Sequence, residues 1–88
     1  MKIEIHPSFK KAYKKRILNN PKLLLKMTQG IKLFQDNSNN PILNNHGLKG
    51  SKKSLKAFSI TSDIRIVYLK VSEDHVILLN IGTHNQVY

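Results

Sequence analysis

Ile64-Arg65-Ile66-Val67-Tyr68-Leu69-Lys70-Val71 is the stretch that decides how this chain folds. It is β-branched and apolar, with no glycine or proline, and reads as a central strand. Upstream, Phe58 and Ile60 alternate with Ala57 and Ser59, so another strand follows Leu55, and Thr61-Ser62-Asp63 makes a tight connection between the two. Downstream, Ser72-Glu73-Asp74-His75 is a turn and Val76 to Ile81 a last buried strand. The second half of the chain is therefore a run of hairpins.

The first half has a different period. Lys2-Ile3-Glu4-Ile5-His6 alternates polar and apolar residues and reads as a short strand with Ile3 and Ile5 inward. Pro7 and Ser8 start a helix whose inner face is Phe9, Ala12, Tyr13 and Ile17, with Lys10, Lys11, Lys14 and Lys15 largely off it. Asn19-Asn20-Pro21 ends that helix and begins another, with Asn20 as cap and Pro21 at the first helical position. Leu24, Met27, Ile31 and Phe34 carry the apolar stripe to about Gln35. Gly30 within it costs about 1 kcal/mol relative to alanine, so this helix needs tertiary support. Asp36-Asn37-Ser38-Asn39-Asn40-Pro41 is a loop by composition. The order βααβββ predicts one α+β domain over residues 1–88, with two N-terminal helices packed on an antiparallel sheet.

Composition narrows the function. A chain of 88 residues buries a small core, and 40% hydrophobic content argues against wholesale disorder. The absence of cysteine rules out disulfides and thiolate metal sites and fits a reducing cytoplasm. No apolar run approaches a membrane span and the N-terminus lacks a signal peptide's apolar stretch, so a cytoplasmic protein with no membrane partner is expected. Fifteen Lys plus Arg against five Asp plus Glu give a net charge of +10, a long-range field that attracts polyanions.

Three stretches hold the residues that can do chemistry: His46-Gly47-Leu48-Lys49-Gly50, Asp63-Ile64-Arg65-Ile66-Val67-Tyr68, and Ile81-Gly82-Thr83-His84 with Tyr88 four residues on. Arg65 inside an apolar strand needs a partner or a ligand, and a salt bridge to Asp63 is its structural explanation. Asp63 equally suits the turn that it closes. His46 sits in an Asn-rich loop, where a histidine is ordinarily solvated, and His84 follows a buried strand, where it can satisfy a carbonyl. Tyr88 ends the sequence, Gly82 serves backbone geometry, and His6 and His75 fit no motif and read as surface residues. Lys10, Lys11, Lys14, Lys15 and Arg16 are either the wet face of a helix or a grip on RNA phosphates, the latter making binding salt-dependent. A metal site from His46, Asp63 and His84 is not expected, because none sits at the short helical spacing of metallohydrolase motifs and the surroundings are cationic.

In their order and spacing these motifs resemble the RelE/ParE superfamily of bacterial toxin–antitoxin toxins, and within it the YafQ-type mRNA interferases. Phe9-Lys10-Lys11-Ala12-Tyr13-Lys14-Lys15 resembles the family's first helix, and Asn45-His46-Gly47-Leu48-Lys49-Gly50 its H-x-L-x-G segment. Asp63 to Tyr68 resembles the central hairpin, and Ile81 to Tyr88 the C-terminal G-[ST]-H-x-x-[LV]-[FY]. The resemblance implies a RelE-like fold and a ribosome-dependent endoribonuclease that cuts mRNA in the decoding site. It implies as partners a cognate antitoxin encoded beside the toxin, mRNA on the ribosome and ribosomal RNA, with no small-molecule cofactor. It places His46, Asp63 and His84 on catalytic positions of the YafQ branch, Tyr88 on its functional C-terminal aromatic, and Arg65 on the catalytic arginine of RelE. Ser59 stands where YafQ-type toxins carry another histidine, Ile64 replaces a tryptophan, Asn80 an arginine, and Lys56 sits where many relatives have arginine. Arg65 is expected to supply the cation lost at Asn80.

RNA can be cut without a metal because its own 2′-hydroxyl is the nucleophile. The protein then supplies a base, a cation for the pentavalent phosphate and an acid for the departing 5′-oxygen. His84 is expected as acid and His46 or Asp63 as base, since histidine titrates near neutrality. Arg65, with Lys49 or Lys56, stabilises the phosphate charge through its planar fork. Tyr88 stacks on a base or orients the phosphate, and Lys10, Lys11, Lys14, Lys15, Lys49, Lys52, Lys53 and Lys56 hold the RNA. Two other functions stay open: a ParE-like inhibitor of DNA gyrase without nuclease chemistry, against which Gly82-Thr83-His84 speaks, and a decayed toxin that binds RNA without cutting it.

Overall fold

A computed structural model describes residues 1–48 and 54–88. Strands β1 (Lys2–Ile5), β2 (His46–Gly47), β3 (Leu55–Ser59), β4 (Ile64–Ser72) and β5 (His75–Thr83) form one sheet in the order β1-β5-β4-β3-β2. Helix α1 (Pro7–Arg16) and helix α2 (Pro21–Asp36) follow β1, a 3₁₀ turn (Pro41–Leu43) precedes β2, and a four-residue helix α3 (His84–Val87) follows β5. The βααβββ skeleton expected from the sequence is present, with β2, the 3₁₀ turn and α3 added to it. Among the described residues no helix is long and apolar enough to cross a membrane.

The sheet is mixed. β2 to β5 pair antiparallel, but β1 runs parallel to β5, from Lys2 opposite His75 to Ile5 opposite Leu78. Hairpin spacing cannot reveal that pairing, since it joins the two ends of the chain. It also corrects the expectation for Ile5. β1 is a four-residue edge strand whose register stops there, so Ile3 is half-buried against the core while Ile5 stays 48% exposed.

Local chemistry explains both long helices. His6 Nδ1 accepts a hydrogen bond from Ser8 N at 3.0 Å as the cap of α1, and Asn20 Oδ1 accepts from Leu23 N at 3.2 Å as the cap of α2. Each helix has proline in its first position, where a missing N–H is harmless. Lys14, Lys15 and Arg16 in the last turn of α1 complement its dipole.

Alternation along β4 divides the sheet into two faces. Ile64, Ile66 and Tyr68 enter the main core with Phe58, Leu78 and Ile81, under Phe9, Ala12 and Ile17 of the α1 segment and Phe34 of α2. Phe34 stacks on Phe58 with centroids 4.2 Å apart, and Tyr68 stands edge-on to both. The Tyr68 hydroxyl donates to Asn45 Oδ1 at 2.8 Å, and Asn45 Nδ2 donates to the Ser38 carbonyl at 3.0 Å, so one amide ties the loop before β2 to the core. Burial raises the Tyr68 pKa, a shift that the bond to Asn45 partly offsets.

The other face is covered lightly. Ala57 and Val67 are sealed by Val87 of α3, with Leu48, Leu55 and Tyr88 around them. A bulge in β5 sets what else faces this side. Val67 pairs with Asn80 and Tyr68 with Leu78, which leaves Leu79 as an extra residue. Before the bulge Val76 and Leu78 point into the core; after it Ile81 does, so Asn80 and Gly82 turn to the open face. Beyond Leu78 the outer edge of β5 no longer pairs with β1, and α1 covers it instead. Ser8 Oγ donates to the Leu79 carbonyl at 2.6 Å and Arg16 Nη1 to the Ile81 carbonyl at 3.0 Å.

Candidate active site and nucleic-acid interface

Two cross-strand rows lie on the open face. One is Ser59–Arg65–Gly82, the other His46–Ala57–Val67–Asn80. Residues directly opposite across a ladder project to the same side, so Arg65, Ser59, His46 and Asn80 share the face that Val87 partly covers. Past Gly82 the chain turns into α3, where Thr83 N donates to Gln86 Oε1 at 2.8 Å and Tyr88 N to the His84 carbonyl at 3.0 Å. The Tyr88 ring meets the exposed His84 imidazole edge-to-face, with centroids 4.5 Å apart and planes at 88°. Tyr88 is thus packed, not frayed. Burial raises its phenol pKa, and the positive charge of Arg65 opposes the shift. Arg65 and Tyr88 are therefore within electrostatic reach of each other.

Among the described residues Arg65 makes no ion pair with a carboxylate. Its Nη1 donates to the backbone carbonyl of Asp63 at 3.3 Å, in place of the salt bridge that would have explained it structurally. Among the described residues Lys70 pairs with Glu73 at 3.2 Å and His75 Nε2 is hydrogen-bonded to Glu4 Oε1 at 3.0 Å, and neither contact involves Arg65. Arg65 instead lines a groove of about 410 Å³ with Asn44, Ser59 and Ser62. The turn before β4 is held by Thr61 Oγ1, which accepts from the amides of Asp63 at 3.2 Å and Ile64 at 3.0 Å. Asp63 is not the residue that shapes that turn. Its exposed carboxylate makes no hydrogen bond or ion pair with the described residues, and it immediately precedes the register pair Ile64–Thr83, at the sheet end where His84 emerges.

His46 lies farther off. β2 is two strands from β4, a separation of about 10 Å. Its Nδ1 is 2.8 Å from the carbonyl of Asn44, a residue in the left-handed region at φ 48°. If Nδ1 carries the proton of that bond, Nε2 presents its lone pair outward.

The lysines divide. Lys56 pairs with Tyr68, so the pleat puts it on the helix side of the sheet, where it lines a cavity of about 110 Å³ with Asn45 and Tyr68. That corrects the expectation that it shares a phosphate with Arg65. Lys49, Lys52 and Lys53 lie outside the described residues. Lys10, Lys11, Lys14 and Lys15 are all exposed, and only Lys11 and Lys15 line a groove of about 380 Å³ between α1 and the open face, floored by Leu55, Val67 and Val87.

One cation was hidden in the charge run. Arg16 is half-buried, and its Nη1 donates to Asn80 Oδ1 at 3.1 Å as well as to the Ile81 carbonyl. A Cβ at Gly82 would come within 2.6 Å of Gln86 Oε1 and 2.9 Å of Arg16 Nη1, so Gly82 provides room for those two side chains. The signal in the sequence is slight: Arg16 is one of two arginines among thirteen lysines. Among the described residues no group of three or more His, Cys, Asp or Glu side chains is placed to hold a metal ion.

The family model described as bacterial toxin of type II toxin-antitoxin system, YafQ, matches residues 1–88. The chain belongs to the YafQ family of toxins. No curated protein matches it in sequence. A copper-bound mutant toxin from Helicobacter pylori is similar at 29% identity with a TM-score of 0.80, covering 100% of this chain and 99% of that one. YafQ in the DinJ–YafQ toxin–antitoxin complex of E. coli shares the fold at 21% identity and a TM-score of 0.75, covering 99% and 96%. A YoeB/ParE toxin from Agrobacterium tumefaciens shares it at 19% identity and a TM-score of 0.77, covering 96% and 99%. In this YafQ-family toxin the open face gathers Arg65, His84 and Tyr88, with Asp63 at the same sheet end and His46 two strands away.

Proposed function

We propose that this YafQ-family toxin is a ribosome-dependent endoribonuclease that cuts mRNA by acid–base chemistry on the RNA itself. The observation that carries the reading is the grouping of Arg65, which has no carboxylate partner among the described residues, and His84, packed by Tyr88, on one face of the sheet. Asp63, or His46 from across the face, takes the proton of the 2′-hydroxyl. The new O2′–P bond forms as the P–O5′ bond breaks, and His84 gives its proton to the leaving 5′-oxygen. Arg65 holds the pentavalent phosphate. The products are a 2′,3′-cyclic phosphate and a 5′-hydroxyl.

Lys10, Lys11, Lys14 and Lys15 are the proposed RNA contacts of α1, and Lys49, Lys52 and Lys53, which precede β3 in the chain, those that hold the message. The partner that restrains this activity is an antitoxin, whose acidic, partly disordered chain would fold along the cationic surface. The cytoplasm is the proposed site of action. A cell extract translating a defined message tests the reading. With the toxin added, cuts appear with 5′-hydroxyl ends, and His84→Ala lowers their yield at least a hundredfold. Uncut message, with DNA gyrase inhibited instead, would replace it by the ParE-like reading; 5′-phosphate ends would remove the proposed proton transfers.

A further inference from the structure

We infer that Arg16 is a second phosphate-binding residue of the site, and that Asn80 positions it there. The inference rests on the reading above that the open face takes RNA, and it adds a residue and a path to it. Asn80 occupies a strand position that the bulge at Leu79 turns onto the open face, one row from Arg65. Its side chain carries no charge, but its Oδ1 accepts from Arg16 Nη1 at 3.1 Å, so α1 delivers a guanidinium to the spot where β5 itself offers none. Arg16 Nη1 lies over Gly82, and Gly82 is the register partner of Arg65. The two arginines of the chain therefore flank one glycine on one face.

The hydrogen bonding of Arg16 is incomplete in a telling way. Both protons of Nη1 are committed, to Asn80 and to the Ile81 carbonyl. Nε is buried and has no hydrogen-bond partner, and Nη2 makes no hydrogen bond among the described residues. Among the described residues no ion pair involves this guanidinium. A cation held rigidly through Nη1, with Nη2 left over, is built to accept an anion at Nη2. Arg16 also lines the groove of about 380 Å³ with Lys11 and Lys15, five residues and one residue before it, above an apolar floor of Leu55, Val67 and Val87. That combination, cations along one wall and apolar side chains beneath, suits a single-stranded RNA whose phosphates follow α1 while its bases and riboses face the floor. The groove then carries the strand away from the scissile phosphate at Arg65 and His84.

The test is binding, measured apart from cutting. A single-stranded RNA hexamer carrying 2′-O-methyl groups has no free nucleophile, and its affinity is followed by fluorescence anisotropy over a series of salt concentrations. Arg16→Ala is expected to weaken it about tenfold and to lower the salt slope by about 0.7, the share of one phosphate contact on a single strand. Asn80→Asp separates positioning from structure: a merely structural contact would be kept or strengthened by the new ion pair, whereas neutralising Arg16 is expected to weaken hexamer binding while the thermal midpoint is unchanged or higher. Asn80→Asp also decides the matter if Arg16→Ala does not fold. Arg16→Ala with Asn80→Arg, which moves the cation onto the strand, is expected to restore affinity. A folded Arg16→Ala or Asn80→Asp that binds the hexamer as tightly as the unmutated protein overturns the inference and leaves the groove to an acidic polypeptide. An unmutated protein that does not bind the hexamer overturns it as well. An unmutated toxin that binds the hexamer with these dependences yet leaves translated mRNA whole overturns the nuclease reading and not this one.

Discussion

The two faces of the sheet share the same strands and are built on opposite terms. On the helix side, Ile64, Ile66 and Tyr68 of β4 meet the stacked pair Phe34–Phe58 and two helices; on the open side, Arg65 and Val67 of the same strand meet one four-residue helix, with Leu48, Leu55 and Tyr88 packed around Ala57, Val67 and Val87. Cohesion is concentrated where the fully buried side chains are all apolar or aromatic, and Arg65 and Arg16 lie where little apolar area is buried. A buried arginine with no counter-ion would be costly in the thick core, whereas under a thin cover it keeps access to water and ligand. The contrast teaches that stability and chemistry can be perturbed separately here, face by face.

The largest expected effect breaks the thick face. Phe58 is fully buried, stacked on Phe34 and edge-on to Tyr68, so Phe58→Ala removes the centre of the cluster. It should cost about 3–5 kcal/mol, a large part of the stability of a small domain. The denaturant midpoint reads it, with the loss in RNA cleavage following only the unfolded fraction. Val87→Ala sharpens the comparison from the thin face. Val87 is 7% exposed and is the apolar anchor of α3, so its truncation should cost only about 1–2 kcal/mol. Because α3 presents His84 and ends at Tyr88, cleavage should nevertheless fall at least tenfold in protein that is still folded. Equal losses of stability and activity in the two variants would show that the faces are not independent.

Tyr68→Phe probes the join between the faces, since the hydroxyl holds Asn45, the residue before His46. Loss of that bond should cost about 1 kcal/mol at neutral pH. The variant also has a pH signature. Burial raises the Tyr68 pKa above its ordinary 10.0, so the unfolded chain gives up this proton first. The contribution is complete below about pH 10 and is lost as pH rises toward the folded value. Thermal midpoints measured between pH 9 and 11 should therefore fall less steeply in Tyr68→Phe than in the unmutated protein, with a residual slope from Tyr88, whose pKa is raised too.

What the sequence revealed was local, and what it concealed was not. The strands β3 to β5, the start of α2 at the Asn20 cap and Pro21, and the inner face of α1 follow from residues within one turn or one hairpin of each other. The parallel pairing of β1 joins positions some seventy residues apart, and the Arg16–Asn80 bond spans 64. The phase of β5 was undecidable because Val76-Ile77-Leu78-Leu79 is apolar at every position, and only the bulge determines that Asn80 and Gly82 face outward. α3 is too short to show a period. Lys56 is the instructive case. It stands two residues before Phe58, so alternation alone puts it on the core side, and the resemblance to arginine-bearing relatives pointed the other way. Of the residues assigned to chemistry, Arg65 was the most legible, because an arginine among Ile64, Ile66 and Val67 needs a reason that its own strand does not supply.

The smallest expected effect compares two glycines, one on each face. A Cβ at Gly82 would run into Gln86 Oε1, the Gln86 Cβ and Arg16 Nη1, groups fixed by hydrogen bonds to Thr83, Asn80 and Ile81. A Cβ at Gly30 would approach Ile60 Cδ1 to 2.5 Å, and that atom is the free end of a half-exposed side chain on a turn. Ile60 has room to rotate away; Arg16 does not. Against the shift of Ile60, Gly30→Ala returns about 1 kcal/mol of helix propensity to the interior of α2. The denaturation midpoint should therefore stay level or rise by the equivalent of up to about 1 kcal/mol, with RNA cleavage unchanged. A drop in stability would mean that Ile60 is pinned as firmly as Arg16, and that α2 depends on close approach at Gly30 as the open face does at Gly82.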